Sequence, residues 1–365
     1  LAQDHLSNAD DRRMEGGRRD SRIKTGPEAG SRICDWYDVG RKLHVSRTTG
    51  CELFAALHKP TGELALIKAV ERARLGRNYA QPVHLYSKLQ HPHICQLLEV
   101  FDSQHFLMVT EIIDGLTLTD FSAQVGLAPT ETQQVFHQLA AAVAYMHSEG
   151  VCHRNICLDN VMLAAGPVCN AKLIDFACAG PTLRALTRKM GSPNVLYLAP
   201  ELLGGNVEYF GAQTDVWALG VCLHVLLTGK FPFTSEKAIS EHRDSLSLPD
   251  TVEPEAQQLI LAMLTVDPAA RITSDAICKH AYVTRAAEIL GVNVATKRWS
   301  EPSALPHVLD QLAELGLEPQ AVSAAVGERQ RNELFTAYFL MERRVPHEPE
   351  EHADRSMTAP AAPQA

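Results

Sequence analysis

The sequence predicts an α+β protein with two lobes and a small three-helix module after them. Three observations support this prediction. Short β-like runs fill the stretch from Trp36 to about Val70, helical periodicity dominates from about residue 130 to 284, and residues 305–344 contain three short helical stretches. Strands and helices that segregate along a chain are typical of the α+β class. With 45% hydrophobic and 21% charged residues, the chain can bury a sizeable core.

The strand-rich part contains two predicted strand pairs. The run "ELFAALHKPTGELALIKAV" places two β-like segments around "KPTG", which has the composition of a hairpin turn. A second pair is predicted within "ICQLLEVFDSQHFLMVTEI". The helix-rich part contains three amphipathic or apolar helices, predicted at "TETQQVFHQLAAAVAYMHSEG", "TDVWALGVCLHVLLTG" and "EAQQLILAML".

The ends of the chain differ in composition from its middle. Residues 1–33 are polar and rich in Arg, Asp and Gly, and residues 345–365 are rich in Pro, Ala and charge. Segments of this composition cannot bury enough apolar surface to fold, so we predict a disordered leader and a disordered tail. Between them we expect one large domain at 34–284, a linker at 285–304 and the three-helix module at 305–344.

Charge and cysteine content narrow the class of partner and the compartment. The formal net charge is -9, from 43 acidic and 34 basic residues, which argues against nucleic-acid binding. Nine cysteines without any C-x-x-C pair indicate unpaired thiols in a reducing compartment. The longest nearly apolar run, 216–228, is too short to cross a bilayer. We therefore predict a cytoplasmic protein, or one also present in the nucleus, with no membrane span.

Six local motifs follow one another in a characteristic order. They are Lys68 at the end of "LALIK", "HRNICLDN" at 153–160, "DFA" at 175–177, "APE" at 199–201, "DVWALGV" at 215–221 and "DPAAR" at 267–271. In order and spacing they resemble the eukaryotic protein kinase family. The resemblance covers about residues 37–284. It implies a bilobal fold with a β-rich N-lobe and a helical C-lobe, and ATP and magnesium as cofactors.

Several positions depart from the catalytic pattern of that family in the N-lobe. Ser46, Thr48 and Cys51 stand where the resemblance implies glycines, which let backbone amides approach phosphates closely. The glutamate that would hold Lys68 falls on Pro82, and a proline breaks a helix interior. Two interpretations of Lys68 therefore stay open, a nucleotide ligand or a solvated strand lysine.

The catalytic loop departs from the pattern as well, so we expect no intact catalytic group. Asn155 stands at the position of the catalytic aspartate, and a carboxamide cannot act as a general base. Cys157 stands at the position of the loop lysine that steadies the transferred phosphoryl group. The family counterpart of Asp159 points away from the chemistry, so Asp159 is not expected to substitute.

Other positions of the site are retained. Asn160 and Asp175 match the two magnesium ligands of the family, and both offer oxygen donors. Ala177 replaces the glycine after "DF". The resemblance also implies a nucleotide slot with Thr110 as its gatekeeper, and Leu66 crowds that slot, so weak ATP binding and complete loss are both open. The implied nucleotide contacts are Lys68, Leu53, Leu66, Met162 and the backbone of Glu111 and Ile113.

The scaffold positions of the family are present, and this combination of lost chemistry and retained architecture is typical of a pseudokinase. Thr187 lies near the usual phosphosite of the activation segment, where a phosphate would pair with Arg154 and an unmodified threonine is the alternative. The positions with an implied structural role are His153, Arg154, Phe176, Glu201, Asp215 and Arg271.

The C-terminal module narrows the resemblance to one branch of the family. "GSPN" and the helix "NELFTAYFLMERR" resemble AMP-activated-kinase-related and microtubule-affinity-regulating kinases, which carry a ubiquitin-associated-like domain. Leu315, Gly316 and Leu317 would form its characteristic loop, and a generic three-helix cap is the alternative. In this branch such modules mostly contact their own kinase domain.

Three functions are consistent with these residues. The leading hypothesis is a catalytically impaired kinase-like protein that acts as a scaffold or allosteric regulator in signalling, with weak or no ATP binding. Its partner would be an active kinase or the substrate of one. The alternatives are a low-activity serine/threonine kinase that transfers the ATP γ-phosphate to protein, and a ubiquitin-binding adaptor.

Overall fold

A five-stranded antiparallel sheet forms the N-terminal lobe in a computed structural model of the chain. Its strand order is β1-β2-β3-β5-β4, and the "KPTG" turn joins β2 to β3 as predicted. A short helix, α1, precedes the sheet and α2 lies between β3 and β4. The bounds are α1 Ile33–Trp36, β1 Tyr37–Val45, β2 Glu52–His58, β3 Glu63–Glu71, α2 Ala80–Ser87, β4 Leu97–Asp102 and β5 His105–Glu111.

The structure describes most, but not all, of the chain. The described residues are 33–46, 50–75, 79–102, 105–166, 169–182, 195–203, 211–240, 246, 248–290, 304–328, 330 and 332–342. The predicted leader up to residue 32, the predicted tail, most of the predicted linker and Thr187 lie outside them.

The second lobe is helical and carries two small sheets. The two longest described helices, α4 (Pro129–Ser148) and α6 (Gly211–Thr228), contribute Phe136 and Trp217 to its core, where both side chains are fully buried. The strands are β6 Gly115–Thr117, β7 Val151–Cys152, β8 Val161–Ala164, β9 Asn170–Leu173 and β10 Gly180–Pro181. The helices are α3 Leu118–Gln124, α4 Pro129–Ser148, α5 Pro200–Leu203, α6 Gly211–Thr228, α7 Glu236–Ser240, α8 Pro254–Met263, α9 Ser274–Cys278 and α10 Ala281–Leu290.

The small strands place the functional loops between the lobes. Strands β6, β8 and β9 form one sheet, and β7 pairs with β10. The segment between β7 and β8 contains the "HRNICLDN" motif, and the "DFA" motif follows β9 after one residue, Ile174. Helix α10 runs on to Leu290, into the segment that the sequence predicts as linker. The predicted α+β class and its two lobes are confirmed.

Three helices follow in the C-terminal module: α11 Pro306–Glu314, α12 Pro319–Gly327 and α13 Glu333–Glu342. Val308, Val322 and Phe335 pack together in a core of their own. Leu340 of α13 packs instead with Tyr37 and other residues of the N-lobe sheet. The last helix therefore joins the module to the N-lobe. That these helices are a ubiquitin-associated-like domain stays a prediction.

Within the described parts of the chain, none of the helices is long and apolar enough to cross a membrane.

Candidate functional site

The centre of the candidate site is an ion pair between the two lobes. Lys68 on β3 places its Nζ 2.6 Å from Oδ1 of Asp175. Asp175 is the second residue after the end of β9. Asp175 has left-handed backbone angles, with φ of 60° and ψ of 73°, and it begins a single 3-10 turn over Phe176–Cys178. The two side chains are 25% and 35% exposed. We call this the front pair.

Both partners of the front pair are charged at neutral pH. Burial acts to raise the pKa of the Asp175 carboxyl, but the Lys68 ammonium outweighs burial and the pKa lies below its usual value. Burial acts to lower the pKa of Lys68, but Asp175 outweighs it and the pKa is raised. A solvated strand lysine would not be 25% exposed and paired with an acid at 2.6 Å, so that interpretation does not fit the structure.

Helix α2 offers Lys68 no carboxylate, because its sequence "AQPVHLYS" contains no acid. Pro82 does not break this helix. It is the third helical residue, in the first turn, where backbone N–H groups have no intrahelical acceptor to lose. Glu71 pairs with Arg74 at 2.8 Å on the surface.

The turn that replaces the glycine loop is only partly described, and Thr48 lies outside the described part. At its ends, the Ser46 N–H donates to the Cys51 carbonyl at 2.8 Å, and the Gly50 N–H donates to the Ser46 carbonyl at 2.9 Å. Gly50 has a φ of +65°, and a β-carbon there would meet the Arg74 guanidinium. Burial raises the pKa of the Cys51 thiol. The one glycine in this turn thus accommodates an arginine side chain.

Three residues of the predicted nucleotide slot share one face of the N-lobe sheet. Leu53 is paired with Lys68 across β2 and β3, and Leu66 is two residues from Lys68, so all three share one face. Each is only partly buried, so Leu66 does not disappear into the core. Met162 on β8 and Ile113 after β5 are also partly buried.

Part of the predicted hinge is already committed to bonds within the protein. The Glu111 N–H donates to the Gln96 carbonyl at 3.0 Å. The Glu111 carbonyl accepts a bond from Oγ1 of Thr110 at 3.2 Å. Because a carbonyl oxygen accepts two bonds, only the N–H of Glu111 is fully committed.

The catalytic loop holds its substituted side chains close to the core. Asn155 is 7% exposed, and its carbonyl accepts a bond from Nδ2 of Asn160 at 2.8 Å. Cys157 is 4% exposed and belongs to the core of the helical lobe. Burial raises the pKa of the Cys157 thiol to about 11, so it is neutral at pH 7. Asp159 is exposed.

The predicted magnesium ligands have suitable chemistry. The bond from Nδ2 of Asn160 to the loop carbonyl fixes the side-chain amide and leaves its Oδ1 as a donor for a metal. The Asp175 carboxylate would be the second ligand, and its Oδ1 also accepts the bond from Lys68. Oxygen donors of this kind fit Mg²⁺.

A cluster of His147, Cys152 and Asp215 also has ligand atoms within 4.8 Å of one another, but its hydrogen bonds give it a structural role. The Asp215 carboxylate accepts the N–H groups of His153 at 2.8 Å and Arg154 at 2.7 Å. His147 Nε2 lies 3.1 Å from the same carboxylate. Asp215 therefore fixes the backbone of the catalytic loop.

The structure brings the other predicted scaffold residues together as well. The Phe176 ring stacks on Tyr86 of α2 at 4.3 Å and meets the edge of His153 at 4.7 Å. Arg271 contacts Glu201 through two bonds of 2.8 and 2.9 Å. Arg154 packs its guanidinium on Gly180, and its Nη2 donates to the Pro181 carbonyl at 3.1 Å.

Sequence reasoning missed two contacts of this site. Tyr86 stacks on Phe176, and Lys172 pairs with the Glu111 carboxylate at 2.7 Å. Lys172 lies in β9, three residues before Asp175. The alternation of buried and exposed residues along a strand does not indicate which distant residue a side chain contacts.

Comparison with known proteins agrees with this geometry. A family model described as protein kinase domain matches residues 47–283. The chain is 35% identical over 324 residues to the maternal embryonic leucine zipper kinase of Danio rerio, covering 82% of this chain and 46% of that protein. It is 29% identical over 329 residues to the serine/threonine-protein kinase SIK2 of Gallus gallus, and 28% identical over 334 residues to the serine/threonine-protein kinase kin-29 of Caenorhabditis elegans. These two matches each cover 85% of this chain and 40% of the relative. The chain thus spans less than half the length of these relatives.

Proposed function

The chain belongs to the protein kinase family, and from that premise we propose that it is a catalytically impaired member that acts as a scaffold or allosteric regulator. The observation that carries the proposal is the composition of the catalytic loop. Asn155 replaces the carboxylate that would accept the proton of a substrate hydroxyl, and Cys157 replaces the lysine of the same loop.

Neither replacement offers the chemistry that phosphoryl transfer needs. A carboxamide has no useful proton affinity at neutral pH, so Asn155 cannot serve as the general base. The Cys157 thiol is neutral and faces the core, so it cannot neutralise charge on a transferring phosphoryl group. Asp159 is exposed, and as an acid it cannot supply the positive charge of the replaced lysine.

Weak or absent binding of ATP and Mg²⁺ is part of this proposal. Lys68, Asn160 and Asp175 would be the residues that hold them, and their donors fit. Two features act against tight binding: Lys68 lacks a carboxylate from α2 to hold it for the phosphates, and its ammonium already pairs with Asp175. Leu66 adds bulk on the face where the adenine ring would lie.

The scaffold role is supported by the parts of the protein that the substitutions leave untouched. The bonds of Asp215 to the loop and of Arg271 to Glu201 hold the shape of the helical lobe. The packing of Leu340 on the sheet supports an intramolecular contact between a ubiquitin-associated-like module and the N-lobe. We propose an active kinase or its substrate as the protein partner, in the cytoplasm or the nucleus.

Two rival functions each have one observation in their favour. The front pair is charged and the side-chain amide of Asn160 is fixed by its bond to the Asn155 carbonyl, which favours a low-activity serine/threonine kinase. Leu315 is 48% exposed beside Gly316, whose φ is 84°, which favours a ubiquitin-binding adaptor. A Leu315→Ala variant of the full chain, tested for ubiquitin binding by NMR titration, examines the second rival directly.

A phosphate-transfer assay separates the proposal from the first rival. With radiolabelled ATP, Mg²⁺ or Mn²⁺ and a mixture of protein substrates, we expect the wild type to transfer no more phosphate than Lys68→Met. Asn155→Asp tests the lost base, with Asp159→Asn as a control at an exposed acid. Robust wild-type turnover that disappears in Lys68→Met and Asp175→Ala would overturn the proposal.

A further inference from the structure

We propose that Lys172 is a positioning residue of the cleft between the lobes. With Glu111 it forms a second ion pair, the rear pair, behind the front pair of Lys68 and Asp175. Together the two pairs hold the segment 172–175 against the N-lobe sheet and keep Lys68 in its place. No motif of the sequence assigns this role to Lys172.

The rear pair is short and buried. Lys172 Nζ lies 2.7 Å from Oε1 of Glu111, and the Glu111 side chain is fully buried while that of Lys172 is 14% exposed. The same Oε1 accepts the Gln96 N–H at 2.8 Å, and the Glu111 N–H donates to the Gln96 carbonyl at 3.0 Å. Glu111 is thus fixed through its backbone and its side chain, and the bond from Lys172 is the third of these contacts.

The two pairs share their supports on both sides of the cleft. On one side, Lys172 and Asp175 are three residues apart in one segment. On the other, Glu111 and Met108 are three residues apart on β5, and Met108 is paired with Lys68 of β3. In the rear pair the N-lobe sheet supplies the carboxylate, and in the front pair the same sheet supplies the ammonium. Two ion pairs of opposite sense therefore connect the same two pieces of backbone.

The connecting segment is held by backbone bonds as well. The Cys95 N–H donates to the Leu173 carbonyl and the Leu173 N–H donates to the His93 carbonyl, both at 2.9 Å. Leu173 lies between the two charged residues. A shift of Lys172 is therefore expected to reach Asp175 instead of being absorbed between them.

Among the described residues, Glu111 is the acid that pairs with Lys172. His91 and His93 both act on Lys172, but burial lowers their pKa values to about 3 and about 4, so both rings are neutral at pH 7. Removing one partner from a buried pair leaves the other uncompensated, which forces the site to rearrange. The loss of Lys172 should therefore disturb Glu111 and, through the shared segment, the front pair.

The reactivity of the Lys68 amine reports on the front pair without any need for a nucleotide. We would treat the full chain with an acylating N-hydroxysuccinimide ester at pH 8 and follow Lys68 by peptide mass spectrometry. In Lys172→Met we expect acylation of Lys68 to be about tenfold faster, a factor that corresponds to a coupling of about 1.4 kcal/mol between neighbouring groups. Lys172→Arg, which keeps a donor for Glu111, should react at the wild-type rate.

Glu201→Gln is the matched control, because it breaks a buried ion pair in the helical lobe, far along the chain from the cleft. The inference is overturned if Lys172→Met leaves the acylation rate of Lys68 unchanged, or if Glu201→Gln raises it equally. If Lys172→Met does not fold, Glu111→Gln removes the opposite charge of the same pair and keeps an acceptor for both donors, and the same two outcomes decide.

This inference is separable from the proposed function, although a stiff cleft suits a scaffold. Phosphate transfer by the wild type would overturn the proposed function and leave the acylation result standing. An unchanged acylation rate in the variants would overturn the role of Lys172 whether or not the chain transfers phosphate.

Discussion

The front pair of the cleft and the Arg271–Glu201 pair of the helical lobe are both ion pairs between distant parts of the chain, but they differ in burial. The side chains of Lys68 and Asp175 are 25% and 35% exposed, whereas those of Arg271 and Glu201 are 0% and 4% exposed. Arg271 also donates to three backbone carbonyls, those of Thr265, Val266 and Gln213. The cleft pair rests on one short bond, while the second pair is the centre of a saturated network.

This difference in burial implies that the two pairs differ in how well they tolerate substitution. A buried charge that loses its partners costs several kcal/mol, so a network like that of Arg271 cannot be altered cheaply. In the catalytic loop, Asp215 holds the backbone N–H groups of His153 and Arg154, and these bonds do not involve the side chains of the two residues. A side-chain substitution in this loop can therefore leave this anchor in place.

The largest expected effect tests the buried network. Arg271→Met should lower the free energy of unfolding by about 3–5 kcal/mol, because it leaves the Glu201 carboxylate buried without its cation. The measurement is urea denaturation of the full chain at pH 7. Trp217, which lies under the Arg271 guanidinium at 5.1 Å, supplies a fluorescence signal.

Arg285→Met is the control for this prediction. Arg285 pairs with Glu253 and Glu255 on the surface, with a side chain that is 39% exposed. Exposed pairs contribute about 0–1 kcal/mol, so this variant should be nearly neutral. Equal losses in the two variants would contradict the distinction between buried and exposed pairs.

The same distinction marks what could be predicted from the sequence. The β2–β3 hairpin and helices α4 and α6 were predictable, because alternation and helical periodicity act between residues close in the chain. Lys68 and Asp175 were predicted as site residues from local motifs, and that role stays a prediction. The contact between them was not predictable, since the two lie 107 residues apart and only packing joins them.

Two further outcomes show the limits of local reasoning. Pro82 was expected to interrupt a helix, but the helix begins two residues earlier and places the proline in its first turn. Lys172 carried no motif, so its bond to Glu111, 61 residues away, became visible only in three dimensions. Helix boundaries and long-range ion pairs both depend on tertiary packing, which a periodic pattern does not encode.

A second prediction extends the comparison to a buried group in the N-lobe. His58 is fully buried, its Nδ1 lies 2.9 Å from Oγ1 of Thr61, and burial lowers its pKa to about 4. The unfolded chain takes up a proton near pH 6.5, while the folded protein does not until about pH 4. The free energy of unfolding should therefore fall as pH drops from about 6.5 to about 4, by up to about 3 kcal/mol from this residue.

His58→Phe provides the control, since it keeps a ring between the aromatic neighbours Trp36 and Tyr37 and removes the titration. Urea denaturation at several pH values should give a shallower pH dependence for this variant than for the wild type. Other buried histidines still contribute, so the slope should decrease without vanishing. An identical slope in both proteins would mean that His58 binds no proton on unfolding in this range.

The smallest expected effect concerns the front pair itself. Lys68→Met should cost only about 1 kcal/mol of unfolding free energy at pH 7, since partly exposed pairs are screened by solvent. The pKa of Asp175 is lowered in the folded protein, so its stabilisation is present above about pH 3.9 and is lost as the pH falls through the folded value. The difference between wild type and variant should therefore shrink below about pH 4. A loss as large as that of Arg271→Met would contradict the comparison, because it would make the front pair a fold-supporting network. A small loss would mean that the front pair contributes little to the stability of the fold.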